Sequence, residues 1–362
     1  MEKNHIFDGL EVIDGHLHIH AWEDKNTDKT FESGIEEYKE KMGLRAYCFA
    51  AMASGYRDIT NNVMCAIYKL LYPDTYAYGS LTFPMYPVEP EKLGDMDPLT
   101  QYEELMEIGF DGIKMLEGKP SVYYCTNLPL NHSVLDPFYE KAAKDGTHIL
   151  MHANDPIEFW DPEKTCEEHK KKGWFYGDGK HVAHEEIYRQ VFDFMDKHPD
   201  LTLTVAHFFF LSERPEILED AFKKYKNFGV DITPGGEMYI GFNKRYDYFK
   251  DFFTKYADRI MFGTDGDFPP CMEAMEWLCE RIYKYVGTNL ATDSWSDKPL
   301  RGIDLPRDKV NLIMSKNFLR KMGEKPKLIN KDALKRYIEK YKGTLLDKSY
   351  LPKIEEMVKK YL

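Results

Sequence analysis

Eight times along this chain a short run of apolar, β-branched and aromatic residues is followed by a helix-like or looped stretch. That alternation is the strongest constraint on the fold. The strand-like runs fall at 12–19 (VIDGHLHI), 44–52 (LRAYCFAAM), 76–83 (YAYGSLTF), 112–116 (GIKML), 147–152 (THILMH), 201–207 (LTLTVAH), 228–232 and 260–265 (IMFGTD). Helix-like stretches fall at 34–42, 59–71, 98–108, 137–144, 185–198, 215–225 and 246–256, with Gly146 as the stop signal of the fourth. Strands separated by helices pair in parallel through crossover connections. Eight such units in 362 residues predict an α/β fold, a (β/α)8 TIM barrel. A doubly wound open sheet is the alternative. The absence of a G-x-G-x-x-G or G-x-x-x-x-G-K-[ST] phosphate loop counts against it.

The barrel pattern ends near Gly323, which gives residues 1–323 to the barrel. Residues 324–362 are charged and helical in character, punctuated by Pro326 and Pro352. They are expected as a C-terminal helical extension on the barrel or on a neighbouring subunit, or as a solvated amphipathic tail. Residues 154–184 form a long insertion after the fifth strand. Its glycines at 173, 177 and 179 would let it move as a lid, and Trp160, Trp174 and Tyr176 would wall an apolar or aromatic substrate. The other reading is a surface excursion whose aromatics pack beneath it.

The balance of 49 basic and 61 acidic residues, net −12, excludes a general nucleic-acid binder, which needs a basic face. Six cysteines without a C-x-x-C pair fit a reducing compartment. The first ten residues lack the apolar run of a signal peptide, and no segment approaches the ~18 apolar residues of a membrane span. The expectation is a soluble cytoplasmic protein.

Chemistry is concentrated at strand ends. In the first strand, alternation puts Asp14, His16 and His18 on one face, and two imidazoles side by side commonly begin a metal site. Lys114 lies in the fourth strand, His152 ends the fifth, His207 the sixth and Asp265 the eighth. In barrels, catalytic groups gather at the C-terminal ends of strands, so folding would bring these residues to one mouth. Glu237 and Arg245 after the seventh strand and Arg57 after the second could also reach it, although surface loops normally hold such charges. His20 lies just beyond the first strand. His5, His132, His148, His169, His181, His184 and His198 show no ligand spacing.

The motifs DGHLH at 14–18, FDGIKML at 110–116, LDPFYEKAAKDGTHILMH at 135–152, HPDLTLTVAH at 198–207, RIMFGTD at 259–265 and KNFLRKMG at 316–323 resemble the amidohydrolase superfamily of metal-dependent barrels. Within it they resemble the amidohydrolase-related branch of hydrolases, lactonases and non-oxidative decarboxylases. The resemblance runs from about Val12 to Gly323. It implies one divalent cation per chain in preference to two, zinc with manganese as the other choice, bound by His16, His18, His152 and Asp265. Three imidazoles and a carboxylate leave an open position for water or substrate, and the cation brings the pKa of water near neutrality. The resemblance gives Asp265 a second role in proton transfer and makes His207 a catalytic residue first and a ligand second. Lys114 has three readings: a carboxylated bridge between two metals, an ammonium gripping a substrate carboxylate, or a mouth lysine paired to Glu117.

Together these point to a metal-dependent hydrolase acting at a C–N or C–O bond of a small polar or carboxylate-bearing molecule. A decarboxylase using the same centre is the alternative, and a non-catalytic binding protein a third class. Some decarboxylases of the branch carry glutamate in place of the first histidine of the pair; this chain keeps His16. A homodimer is also implied, since barrels of the branch often form one.

Overall fold

The computed structural model describes residues 6–19, 34–53, 58–268, 271–292, 299–344 and 351–362. His5, His20 and Arg57 lie outside these.

Nine parallel strands form one curled sheet in the order β8-β7-β6-β5-β4-β3-β2-β1-β9. They are β1 (Ile13–Ile19), β2 (Ala46–Ala50), β3 (Tyr76–Ser80), β4 (Gly112–Gly118), β5 (His148–Ala153), β6 (Thr202–Val205), β7 (Phe228–Asp231), β8 (Ile260–Met261) and β9 (Gly266–Phe268). The expected eighth strand is thus split. Ile260–Met261 pairs with β7, while Gly266–Phe268 pairs with β1. Residues between the two pieces join the sheet's edges: Gly15 N donates to Phe262 O at 3.3 Å and Asp265 N to His16 O at 2.8 Å. Helices follow the strands, giving a TIM-like α/β fold. The Gly34–Met42, Pro98–Ile108 and Tyr246–Tyr256 helices have the expected bounds. The helices that were not anticipated include Gly236–Lys244 and Met272–Gly287.

The apolar residues separate into two layers, as a barrel requires. Val12, Leu17, Ile19, Val63, Ile113, Met115 and Val205 belong to the large cluster between sheet and helices. Ile13, Ala46, Cys48, Ala50, Tyr76, Tyr78, Leu150 and Met261 form an inner cluster closed by Phe318, Leu319 and Met322. Those last three belong to the Asn317–Met322 helix, which plugs the barrel floor. Asn317 fixes the plug by donating from Nδ2 to Ala257 O (2.6 Å) and Ile260 O (2.7 Å).

Inner and outer faces do not alternate regularly through β1. The register against β2 shifts between Asp14 and Leu17, the mark of a bulge that adds a residue and resets which face follows. Asp14 therefore does not share the face of His16 and His18. Its carboxylate accepts from Tyr38 OH (2.8 Å) of the Gly34–Met42 helix and from Thr264 N (3.0 Å) and Oγ1 (2.6 Å). Gly15 sits in the bulge because a Cβ there would meet Phe262 O and the Phe318 ring, each at 3.0 Å.

Beyond Gly323 the chain returns to the barrel's flank. The Lys331–Tyr341 helix lies against the Pro98–Ile108 and Thr60–Leu71 helices, and the Leu351–Tyr361 helix against the latter. Tyr337 OH accepts from Asn62 Nδ2 at 2.9 Å, and Lys340 pairs with Glu104 at 2.5 Å. Among the described residues no helix is long and apolar enough to cross a membrane.

Candidate active site

At the C-terminal end of β1, His16 and His18 turn their Nε2 atoms toward each other at 3.1 Å. Their other ring nitrogens are committed. His18 Nδ1 donates to Ala50 O at 2.7 Å, and His16 Nδ1 to the Asp231 carboxylate at 2.9 Å. A carbonyl and a carboxylate can only accept, so both Nδ1 atoms carry the proton and both Nε2 atoms present lone pairs. Asp265 Oδ1 completes the group, 3.3 Å from His16 Nε2 and 3.0 Å from His18 Nε2. These three are the group among the described residues placed to hold a metal ion.

Three acceptors within about 3 Å of one another repel unless positive charge lies between them. The Lys114 ammonium meets part of that demand. Buried within the barrel, it donates to His16 Nε2 at 2.9 Å. Burial, with Lys114 beside it, pulls His16 down to about 4, so the imidazole is neutral at pH 7. Burial likewise lowers Lys114 to about 8.

His207 stands across from this cluster. Thr233 Oγ1 donates to Asp231 Oδ1 at 2.6 Å, and so accepts from His207 Nδ1 at 3.0 Å. That tautomer leaves His207 Nε2 as a third lone pair, 3.8 Å from Asp265 Oδ2. Both residues sit on backbone that L side chains seldom adopt: φ is 53° at Asp265, and 56°, 53°, 54° and 52° from His207 to Phe210. Such strain clusters at functional sites. Gly263 is needed here as well, since a Cβ would fall 2.7 Å from His16 Cβ.

His152 is near but differently engaged. Its Nε2 donates to Asp155 Oδ1 at 3.2 Å, and its ring faces that of His207 at 4.8 Å. Asp155 also accepts from Tyr176 OH at 2.7 Å. Trp160 lies within the 154–184 insertion. It donates from Nε1 to Val182 O at 3.0 Å, with its ring against Tyr176 and His184 at 4.9 and 4.8 Å. The insertion's aromatics thus pack on one another, Phe159 on Trp174 included. Asp231, Thr233 and Asp155 were not singled out in the sequence. Asp231 carries the most: its two oxygens bind His16 Nδ1, His207 N and both Thr233 donors. The one signal for it was a carboxylate within a buried strand.

No curated protein matches the chain. Solved structures share its fold. An uncharacterized TIM-barrel protein from Bordetella bronchiseptica is 17% identical with a TM-score of 0.54, over 87% of this chain and 100% of that one. A putative amidohydrolase from Staphylococcus aureus is 15% identical with a TM-score of 0.53, again over 87% and 100%. IDCase from Metarhizium anisopliae is 14% identical with a TM-score of 0.50, over 86% and 97%. The family model described as amidohydrolase matches residues 93–277, just over half of the sequence, and on that match the chain belongs to the amidohydrolase family.

Proposed function

We propose that this chain is a metal-dependent hydrolase that opens a C–N or C–O bond of a small polar substrate, using one zinc or manganese ion per chain. The observation that carries the reading is the convergence of His16 Nε2, His18 Nε2 and Asp265 Oδ1, three acceptors with no proton of their own between them. Two imidazoles and a carboxylate suit either cation and leave positions open for a substrate. When bound there, a divalent cation brings water's pKa toward neutrality and polarises a substrate oxygen.

The chain's own residues supply the rest. Asp265 takes a proton at its carboxylate. Its Oδ2 stands 3.8 Å from His207 Nε2, a gap that a water or substrate oxygen can bridge, and His207 accepts there because its Nδ1 already holds a proton. Asp231 keeps both His16 and His207 in those tautomers. His152 is a fourth candidate donor: its Nε2 proton is held by Asp155, which leaves Nδ1 as the lone pair it would offer. Lys114 holds a substrate carboxylate once a cation replaces it at His16.

That last role supports the second reading, a non-oxidative decarboxylase. An ammonium within the cluster would hold the departing carboxylate beside the cation, with Asp265 or His207 protonating the carbon. Elemental analysis of protein purified without chelators, followed by product analysis of the zinc- and manganese-loaded forms, separates these readings. One ion per chain with ring-opened or deacylated product is expected; release of carbon dioxide would make the second reading correct. No ion bound even after reloading would sink both. Asp265→Asn should lower turnover by about 10²–10⁴-fold, the range typical of general acid–base groups.

A further inference from the structure

Beside the histidine cluster lies a cavity of about 410 Å³ whose walls include Glu158, His184, Phe210, Arg214, Glu237 and Lys244. Phe210 joins the two spaces, since its ring packs on His152 (5.7 Å) and on His207 (5.3 Å). The cavity is short of hydrogen-bond donors. Glu237 Oε1 and His184 Nε2 are both buried and make no hydrogen bond of good geometry, although the Glu237 carboxylate lies by the N–H groups of Glu237 and Met238 and the His184 ring by the Asp155 carbonyl. His184 Nδ1 lies 3.1 Å from the Glu185 carboxylate and carries the ring proton, so its Nε2 is an acceptor too. Both rim cations are already taken: Arg214 pairs with Glu185 at 2.9 Å and Lys244 with Glu213 at 2.7 Å. Glu158 and Glu237 have no basic partner among the described residues. A buried acceptor without a good donor calls for an explanation, and a donor bound in the cavity is one.

We propose that this cavity is a subsite for a cationic nitrogen, an alkylammonium or amidinium group, on the substrate whose labile bond lies at the His16–His18–Asp265 cluster. The assignment to substrate rests on the hydrolase reading above; the affinity of the cavity for a cation does not. Glu237 Oε1 and His184 Nε2 receive its N–H groups, Glu237 and Glu158 balance its charge, and Phe210 lies against its carbon chain. Trp160, packed on His184, positions that ring from behind.

The proposal has a pH signature. Burial, opposed by the N–H groups of Glu237 and Met238 and helped by Glu158 and Asp155, pushes Glu237 up to about 7, so a cation must displace its proton. The other charged groups facing it are His184 and Glu185, Glu213 and Arg214, and Lys244 on its own helix.

The test is calorimetric titration of the purified protein with propylammonium, its neutral counterpart 1-propanol, and propionate, between pH 6 and 9. The expected result is selective binding of propylammonium. Its affinity should rise up to about tenfold per pH unit below 7 and level off above 8, and Glu237→Gln should weaken it at least tenfold and flatten the profile. Equal binding of propanol, preference for propionate, no binding of any probe, or an unchanged Glu237→Gln protein would overturn the proposal. The wild-type pH profile decides the matter even if that variant does not fold. Binding of propylammonium by protein that stays inactive after loading with zinc or manganese would leave the subsite standing and count against the hydrolase reading alone.

Discussion

His16 Nδ1 and Asp231 Oδ2 lie 2.9 Å apart, and both side chains are 1% exposed. The pairing fixes the tautomer that turns His16 Nε2 toward His18 and Asp265, and partners of this kind tune both the orientation and the basicity of a metal-binding imidazole. Asp231→Asn keeps the shape and removes the charge. It should weaken cation affinity by about 10–100-fold, measured by competition with a chromophoric chelator. Unchanged affinity would mean that the pair is structural only.

Gly263, between β8 and β9, is required by the close approach of that stretch to the first strand. A Cβ there would lie 2.7 Å from His16 Cβ and 2.8 Å from Thr233 Cγ2, both parts of the site. Gly263→Ala should therefore cost about 1–3 kcal/mol of stability and lower bound metal together. Gly343→Ala, where a Cβ meets nothing within 4 Å, should change neither. Urea unfolding and elemental analysis of the two variants check this.

The strands were legible because buried parallel strands read as apolar runs, and the ligand-type residues stood at their ends. What escaped was local. The bulge after Asp14 turns on a single extra residue and leaves no compositional mark, so alternation placed Asp14 on the wrong face. The eighth strand reads as continuous through Asp265, yet Asp265 takes a positive φ and the ladder passes from β7 to β1 at that point. The Gly236–Lys244 helix opens on two glycines and contains Gly241, weak helix formers that hid it. His152 carries a ligand's chemistry, but nothing in its neighbourhood along the chain announced that Asp155 would bind its Nε2. Asp231 belongs to no motif, and its importance appears only when strands one, six and seven are side by side.

Lys69 and Asp111 form a fully buried pair, Nζ to Oδ2 at 2.6 Å. Their supports are unequal. Asp111 also accepts from Ala77 N (2.8 Å) and Lys327 N (2.7 Å), whereas the ammonium has one further acceptor, Thr75 O at 3.1 Å. Removing the carboxylate strands a charge with little else to hold it, so Asp111→Ala should cost about 3–5 kcal/mol. Lys69→Met leaves a carboxylate with two backbone donors and should cost less, about 1–2 kcal/mol. Chemical denaturation of both variants at pH 7.5 tests the inequality; equal costs would refute it.

His148 gives the fold an acid-sensitive point remote from the mouth. It is enclosed in the barrel, with Nδ1 3.0 Å from Tyr78 OH and Nε2 2.8 Å from Thr204 Oγ1. Burial, and Lys321 nearby, push its pKa well below the ordinary 6.5. The folded state therefore holds it neutral where the unfolded chain would protonate it. Its contribution is fully present above pH 6.5 and lost as pH falls below that value, because the unfolded state then binds the extra proton. Each such group steepens the loss by up to about 1.4 kcal/mol per pH unit. His148→Gln, neutral at every pH, should lower stability at pH 7.5 but reduce the slope between pH 6.5 and 5 by about that amount. Urea midpoints at half-unit intervals measure it, and a slope equal to that of the unsubstituted protein would show that His148 is protonated in the folded state.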